Sequence, residues 1–345
     1  MKINRQDLLK ILEKPSSIIK TNQLVPEYSH FIFYDSMIYV SNGNILVSSK
    51  SNLTTIEDNF QIPSKLFLTF LKNLKEDSLN LTVEESKLII ETGSIVSSFA
   101  IIAIDTRPES SSLKNAKKYL DIDRFIKGLT FCRQVIAEES NEVLLNIHIT
   151  NDHMFSTDRY RILKVKLQET FDGVDYSIPV SFVDMLLKYQ KQIMEIYYTS
   201  KEISVKFKDG STVFSSVFLE EYRDVSSYFP DPIKDFYIPL EFKTDLSEVI
   251  FRHSEYLKDM LSMDRKTKFS IEQNICTLTT SLNDQGNMVE ILELVTSVEP
   301  CSFSLNTSYL TELFKNCSKF RYYGYRNSFL YIDNDMEFLM QTIQD

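Results

Sequence analysis

Three stretches of the chain share one hydrophobic pattern. Phe67, Phe70, Leu71 and Leu74 fall at i, i+3, i+4 and i+7, and so do Leu310, Leu313, Phe314 and Cys317. That spacing places each set on one face of an α-helix. Between them, Val183, Leu186 and Leu187 keep part of the pattern. Each stretch follows a strand-like end: Ile62-Pro63-Ser64, Ile178-Pro179-Val180 and Leu305-Asn306-Thr307. Pro early in a helix and Ser or Thr at its cap are start signals, so helices are expected near 64–75, 180–191 and 307–319. A second set, "DLLKIL", "DRFIKGL" and "DLSEVI", opens at Asp7, Asp123 and Asp245 and predicts helices near 5–14, 123–133 and 243–258.

The two sets repeat in step. Pro63, Pro179 and Asn306 are 116 and 127 residues apart, and the three aspartates are 116 and 122 apart. That is too long for a solenoid repeat and reads as one domain present three times. Strand-like runs fill the intervals. "HFIFYDSMIYVSNGNILVSS" (30–49) has a turn at Ser41-Asn42-Gly43-Asn44 between two β-rich runs, a hairpin signal. Runs at 143–167 and 268–282 take similar places, and runs at 78–105, 195–219 and 319–343 close the units. The expected fold class is α+β, with domains at 1–113, 118–232 and 236–345. Stretches 106–118 and 227–235, rich in Ser, Pro and charge, read as linkers.

Composition adds a constraint. The 345 residues carry 38 Lys and Arg against 48 Asp and Glu, a formal net charge of −10. Taken alone this argues against nucleic acid, since phosphates are held by Lys and Arg. The distribution says otherwise. The six helical windows hold 16 basic and 8 acidic residues, a net of +8, which leaves −18 for the rest. At about 100° per residue, Lys65 and Lys72 fall opposite the apolar face of their helix, as do Lys315 and Lys319 of theirs. This is either a solvated outer face or a positive surface shared by the helices.

Candidate chemistry is sparse. With seven glycines, no phosphate-cradling loop is present. Cys132, Cys276, Cys301 and Cys317 form no C-x-x-C and read as buried thiols of a reducing compartment. His148 and His153 beside Asp152 are the nearest thing to a metal cluster, but strand alternation points the two histidines to opposite faces. Asp121 and Asp123 sit at a helix start, where acids favour the dipole. Asp158 with Arg161 reads as a turn-stabilising pair. No catalysis, metal or cofactor is expected. The first residues, "MKINRQDLLKILEK", lack a signal-peptide core, and no apolar run is long enough to span a membrane. A cytoplasmic location is expected.

Three short strings then give a family likeness: Thr157-Asp158-Arg159-Tyr160-Arg161-Ile162, Phe229-Pro230-Asp231 and Asn306-Thr307-Ser308-Tyr309. With the threefold repeat they make the chain resemble the bacterial DNA polymerase III beta sliding clamp over nearly its whole length. The resemblance implies three DNA-clamp domains, each two helices packed on antiparallel sheets. Two copies would close head to tail into a six-domain ring around duplex DNA. Arg5, Lys10, Lys20, Lys65, Lys72, Arg124, Lys127, Lys188, Lys191, Arg252, Lys315 and Lys319 would face the DNA, and Phe99 and Ile101 the dimer interface. A cleft between the second and third domains would take short linear peptides of the replicative polymerase and clamp loader. Its implied wall is Leu144, Thr157, Tyr160, Arg161, Ile162, Pro230, Lys234, Asn306, Tyr309, Leu330 and Met340.

Two departures fall on that cleft. Arg159-Tyr160 stand where the family commonly has Gly-His, and the tail from Met340 to Asp345 is more polar than the family's. A divergent clamp of a phage, plasmid or low-GC genome fits this picture. The alternative is a clamp-fold interaction module that binds a replication partner without encircling DNA.

Overall fold

The computed structural model describes residues 2–19, 26–51, 59–108, 115–136, 142–168, 170–219, 222, 224–231, 233–261, 265–282, 286–310, 319–333 and 335–343. Five helices fall in five of the six expected windows: α1 (Arg5–Ser16), α2 (Ser64–Asn73), α3 (Ile122–Arg133), α4 (Val180–Lys188) and α5 (Leu246–Tyr256). Of the sixth window a 3-10 turn, Thr307–Tyr309, is described; residues 311–318 lie outside the described set.

The helix starts explain themselves chemically. The first amide groups of a helix lack carbonyl partners and take side-chain acceptors. Asn4 Oδ1 accepts from the amides of Gln6 and Asp7, Asp121 Oδ1 from Arg124, and Asp245 Oδ1 from Ser247. α2 and α4 differ from the expectation: Pro63 and Pro179 hold the N-cap position, and no side chain caps either helix. Ser64 instead donates its hydroxyl to the carbonyl of Ser29, tying α2 to the preceding turn.

The described chain falls into two compact units, Met1–Ile126 with Glu169–Glu220, and Lys127–Gln168 with Glu221–Asp345. The first contains a nine-stranded antiparallel sheet. Its order is Lys117–Tyr119, Ile193–Tyr198, Glu202–Phe207, Thr212–Ser216, Ile45–Lys50, Met37–Ser41, His30–Tyr34, Phe60–Pro63 and Ile102–Ala103. The register Val213↔Val47 and Phe214↔Leu46 joins segments about 165 residues apart in sequence into one sheet. Lys117 and Lys118, read as linker, belong to its edge strand, paired with Tyr198 and Tyr197. The 30–49 run makes three strands rather than two, because Asp35 and Ser36 adopt left-handed φ of 47° and 59° and form an extra tight turn. A second sheet runs Lys2–Asn4, Ser78–Glu84, Lys87–Thr92 and Ile95–Ala100.

Aromatic packing closes the first unit. Phe67, on the apolar face of α2, meets Phe31 edge-on at 6.3 Å and Phe99 at 5.7 Å. Tyr119 stacks on Phe171 at 4.3 Å, with Phe125 of α3 beside them. Each fully buried ring of this kind removes an apolar surface worth roughly 1.5–3 kcal/mol from water.

In the second unit the strands Asn146–Ile149, His153–Thr157, Arg161–Lys166, Met336–Gln341, Ser328–Asp333, Lys319–Tyr323 and Ile238–Glu241 pair antiparallel in that order. A long hairpin, Lys266–Leu282 with Gly286–Asn306, carries a bulge at Gln273, whose φ is 57°. α5 is held to this hairpin through its buried His253, whose Nδ1 lies 2.6 Å from Thr280 Oγ1, itself 2.6 Å from Thr267 Oγ1. Among the described residues no helix is long and apolar enough to cross a membrane.

Candidate functional site

The polar block in the string "FSTDRYRILKV" is a tight, fully bonded turn. It joins the strands His153–Thr157 and Arg161–Lys166, whose register runs Thr157↔Ile162. Thr157 Oγ1 donates to the carbonyl of Arg161 (2.8 Å) and accepts from the amide of Arg159 (3.1 Å). Asp158 Oδ1 accepts from the amides of Tyr160 and Arg161, both at 3.1 Å. Asp158 Oδ2 takes Arg161 Nε at 2.7 Å, the turn-stabilising pair expected from sequence. Arg161 goes further: Nη1 reaches the carbonyl of Tyr309 (3.3 Å), Nη2 that of Gln134 (3.0 Å), and its guanidinium lies 4.3 Å above the Tyr309 ring. The turn is therefore rigid, and it projects Arg159 and Tyr160 outward.

Beside it lies a cavity of about 810 Å³, within the usual range of ligand pockets. Leu144, Thr157, Tyr160 and Ile162 line it. Ile162, Leu339 and Leu330 sit across neighbouring strands, Ile162↔Leu339 and Leu330↔Leu339. Ile162 packs against two apolar clusters at once, Phe155 with Tyr222 and Val225, and Tyr323 with Leu330 and Leu339. Tyr222 is fixed by His148, stacked face to face at 4.4 Å, and burial pushes its phenol above the ordinary range.

Other implied cleft residues support the wall without lining it. Tyr309 stacks on Tyr160 at 6.4 Å. Asn306 is buried and caps the 307–309 turn, its Oδ1 accepting from the Ser308 amide and hydroxyl. Leu330 is part of the floor cluster, and Pro230 is buried. Two placements need correction. Met340 is buried on the strand while Leu339 and Gln341 line the cavity, because neighbouring strand residues point to opposite faces. Lys234 is exposed, held by Asp231 at 3.2 Å in the 231–235 turn, and does not line the cavity. Arg159, already noted as a departure, also lines it, and sequence reading missed Tyr222, Val225, Ser227, Tyr228, Arg326 and Ser328. The signal available was the i, i+3, i+6 spacing of Tyr222, Val225 and Tyr228 in a stretch otherwise polar.

The basic residues divide. Lys10, Lys65, Lys72, Lys127, Lys188 and Lys191 are exposed on or directly after α1 to α4. Lys188 lies 3.6 Å from Glu13, and Lys10 3.8 Å from Asp7. Arg5 and Arg124 are corrections, since both are buried. Arg5 is consumed within the fold, bonding the carbonyls of Glu76 (3.0 Å) and Leu71 (3.3 Å) and pairing with Asp77 (3.2 Å). Arg252 is exposed but forks onto Glu290, and Lys319 lies on a strand, paired with Glu241 at 2.9 Å. Lys20 and Lys315 lie outside the described residues.

The implied interface residues are also corrected. Phe99 and Ile101 are buried in their own unit, Phe99 against Phe67 and Phe70. Their strand neighbours face outward instead. Ile95–Ala100 pairs on one side only among the described residues, with Val96 70% exposed.

No family model matches the sequence, and neither does any curated protein. Solved structures do match. The Caulobacter crescentus pol III beta aligns with a TM-score of 0.84 at 14% identity, and the Pseudomonas aeruginosa DNA polymerase III subunit beta with 0.82 at 13%. The Bartonella birtlesii DnaN sliding clamp, solved with griselimycin bound, aligns with 0.82 at 17%. Each alignment covers 100% of this chain and 99% of the other. At these identities the likeness is one of fold, and it extends over the full chain.

Proposed function

We propose that this chain, which shares its fold with bacterial DNA polymerase III beta subunits over its whole length, is a DNA sliding clamp. Three clamp domains, 1–113, 118–232 and 236–345, are present in each chain, and two chains close head to tail into a ring around duplex DNA. The full-length fold likeness carries this reading. The chain acts without catalysis: it tethers a replicative polymerase, raising processivity, and is placed on DNA by a clamp loader. Both are captured through short linear peptides in the cleft beside the 157–161 turn. The setting is cytoplasmic.

The chemistry suits sliding. A clamp that moves must not read bases, and lysines facing phosphates attract DNA without sequence preference. Lys65 and Lys72 of α2, Lys127 of α3 and Lys188 of α4 are the contacts of choice, since all four are exposed. Retention then comes from topology rather than affinity. For closure, the free edge of Ile95–Ala100 is one half of the interface. The hairpin strand Gly286–Asn306, with Val289 and Ile291 exposed, is the other. A head-to-tail contact that closes after two copies gives a C2 ring.

The burial of Arg5 and Arg124 and the pairing of Arg252 and Lys319 leave less free positive charge than the sequence suggested. This favours, as second reading, an interaction module that docks a replication partner without encircling DNA. Reversing Lys65, Lys72, Lys127 and Lys188 to Glu separates the two. Loss of loading on circular DNA with unchanged peptide capture supports the clamp, and unchanged processivity in a replication assay supports the module.

A further inference from the structure

The cavity has a cationic residue at its rim and an apolar floor, and together these specify the chemistry of its occupant. The inference rests on reading the cavity as a peptide cleft and goes on to say which peptide.

Arg159 carries the first observation. Its φ of 81° lies in the left-handed region that glycine adopts freely and an L side chain does not. The residue is kept there by the Thr157 hydroxyl, which accepts its amide hydrogen. Among the described residues its guanidinium has no hydrogen-bond or ion-pair partner, although it lines the cavity and is exposed. Asp158 is already paired with Arg161 at 2.7 Å, Asp235 with Arg326 at 3.1 Å and Asp231 with Lys234 at 3.2 Å. Among the described residues the lining contains Arg159 and Arg326 and no carboxylate, and since Arg326 is paired, Arg159 is the cation it leaves open.

The floor carries the second observation. The same cavity is lined by Leu144, Ile162, Val225 and Leu339, and Ile162 and Leu339 belong to the apolar clusters around Phe155 and Tyr323.

We propose that the cleft selects an acidic peptide from its partner protein. An extended segment lays its apolar side chains on Ile162 and Leu339. A carboxylate next to those anchors is held by Arg159 at the rim. The apolar floor favours a peptide over a nucleic-acid strand, whose phosphates would meet a cavity wall that is mostly uncharged.

The test uses a displayed library of random decapeptides, panned on the full-length protein and on its Arg159→Gly variant. Glycine suits φ 81°, so the variant keeps the turn. The expected wild-type pool is enriched in Asp or Glu beside Leu, Ile or Phe, and the variant pool keeps the apolar anchors but loses the acid. A selected peptide and its Asp→Asn or Glu→Gln partner should differ by about tenfold in affinity for wild type and under twofold for Arg159→Gly, the size of a charge-assisted contact. Acid enrichment that persists in the variant, or is missing from wild type, overturns the proposal and leaves the peptide cleft standing. A pool without apolar consensus, one that binds Ile162→Arg equally well, or one displaced by a short single-stranded oligodeoxynucleotide removes the cleft reading itself.

Discussion

Replacing Arg161 with alanine tests whether the turn is as rigid as its bonds imply. The side chains of Arg161 and Asp158 are 13% and 11% exposed and meet at 2.7 Å. The substitution removes that pair, two donations to the carbonyls of Tyr309 and Gln134, and the stacking on Tyr309. It leaves a mostly buried carboxylate and two carbonyls without their donors. Removing one partner of a buried pair costs about 3–5 kcal/mol. Asp158 keeps two amide donors at 3.1 Å, so the low end, about 3 kcal/mol, applies here. For a unit of this size that lowers the first melting transition by roughly 6–12 °C. Arg161→Lys retains the charge opposite Asp158 but not the fork to two carbonyls, and should recover about half of the loss. Calorimetry on the three proteins reads this out. An alanine variant melting within 2 °C of wild type, or a lysine variant as unstable as alanine, would refute the reasoning.

Three further outcomes follow from the geometry. Burial pushes the Cys132 and Cys276 thiols up to about 12, so both stay protonated in the fold. Their contribution to stability is complete below the ordinary thiol range and declines as pH rises towards 12, by about 1.4 kcal/mol per pH unit for each thiol. Iodoacetamide at pH 8.5 should spare both until urea is added, and equal labelling rates in the native and unfolded protein would contradict this. The His253 imidazole is pushed below its ordinary value by burial, with Arg252 acting the same way and Glu290 opposing. Its neutral form is the one that fits, so its contribution is present above about pH 6.5 and is lost as pH falls. The urea midpoint should drop between pH 6.5 and 5 in wild type and stay flat in His253→Gln; parallel curves would dismiss the assignment. Finally, binding to linear DNA should fall steeply with salt, by about a thousandfold for a fourfold salt increase if six phosphates are neutralised. Lys65→Glu with Lys72→Glu should shallow that slope, and an unaltered slope would take α2 off the DNA-facing surface.

The sequence disclosed what is periodic and local. Helix windows came from the i, i+3, i+4, i+7 spacing, and Asp158 beside Arg161 already read as a turn. Thr157, Tyr160 and Ile162, which line the cavity, stand in one string that carries the family resemblance, and Leu144 came from that resemblance. What it concealed depends on which way a side chain points. The basic character of its window suggests free charge at Arg5. It stands three residues before Leu8, on the inner face of α1, and is buried with it. Met340 is buried while its neighbours line the cavity, because a shift of one residue flips a strand side chain to the other face. Phe99 and Ile101 are inward for the same reason, odd-numbered members of an alternating run whose outward side carries Val96. Tyr222 and Ser328 line one cavity although about 100 residues of sequence separate them, which no local pattern carries. The extra hairpin turn at Asp35 and Ser36 lacks glycine or asparagine, the usual sign of left-handed backbone.

The most direct test of the central claim is retention on DNA of defined topology. Protein loaded on a nicked circular plasmid in moderate salt, freed of unbound protein by gel filtration, should remain bound for as long as the circle is intact and slide off when a restriction enzyme opens it. The light-scattering mass of the free protein should be twice that of one chain. Equal loss from circular and linear DNA, with a monomer in solution, would contradict the account.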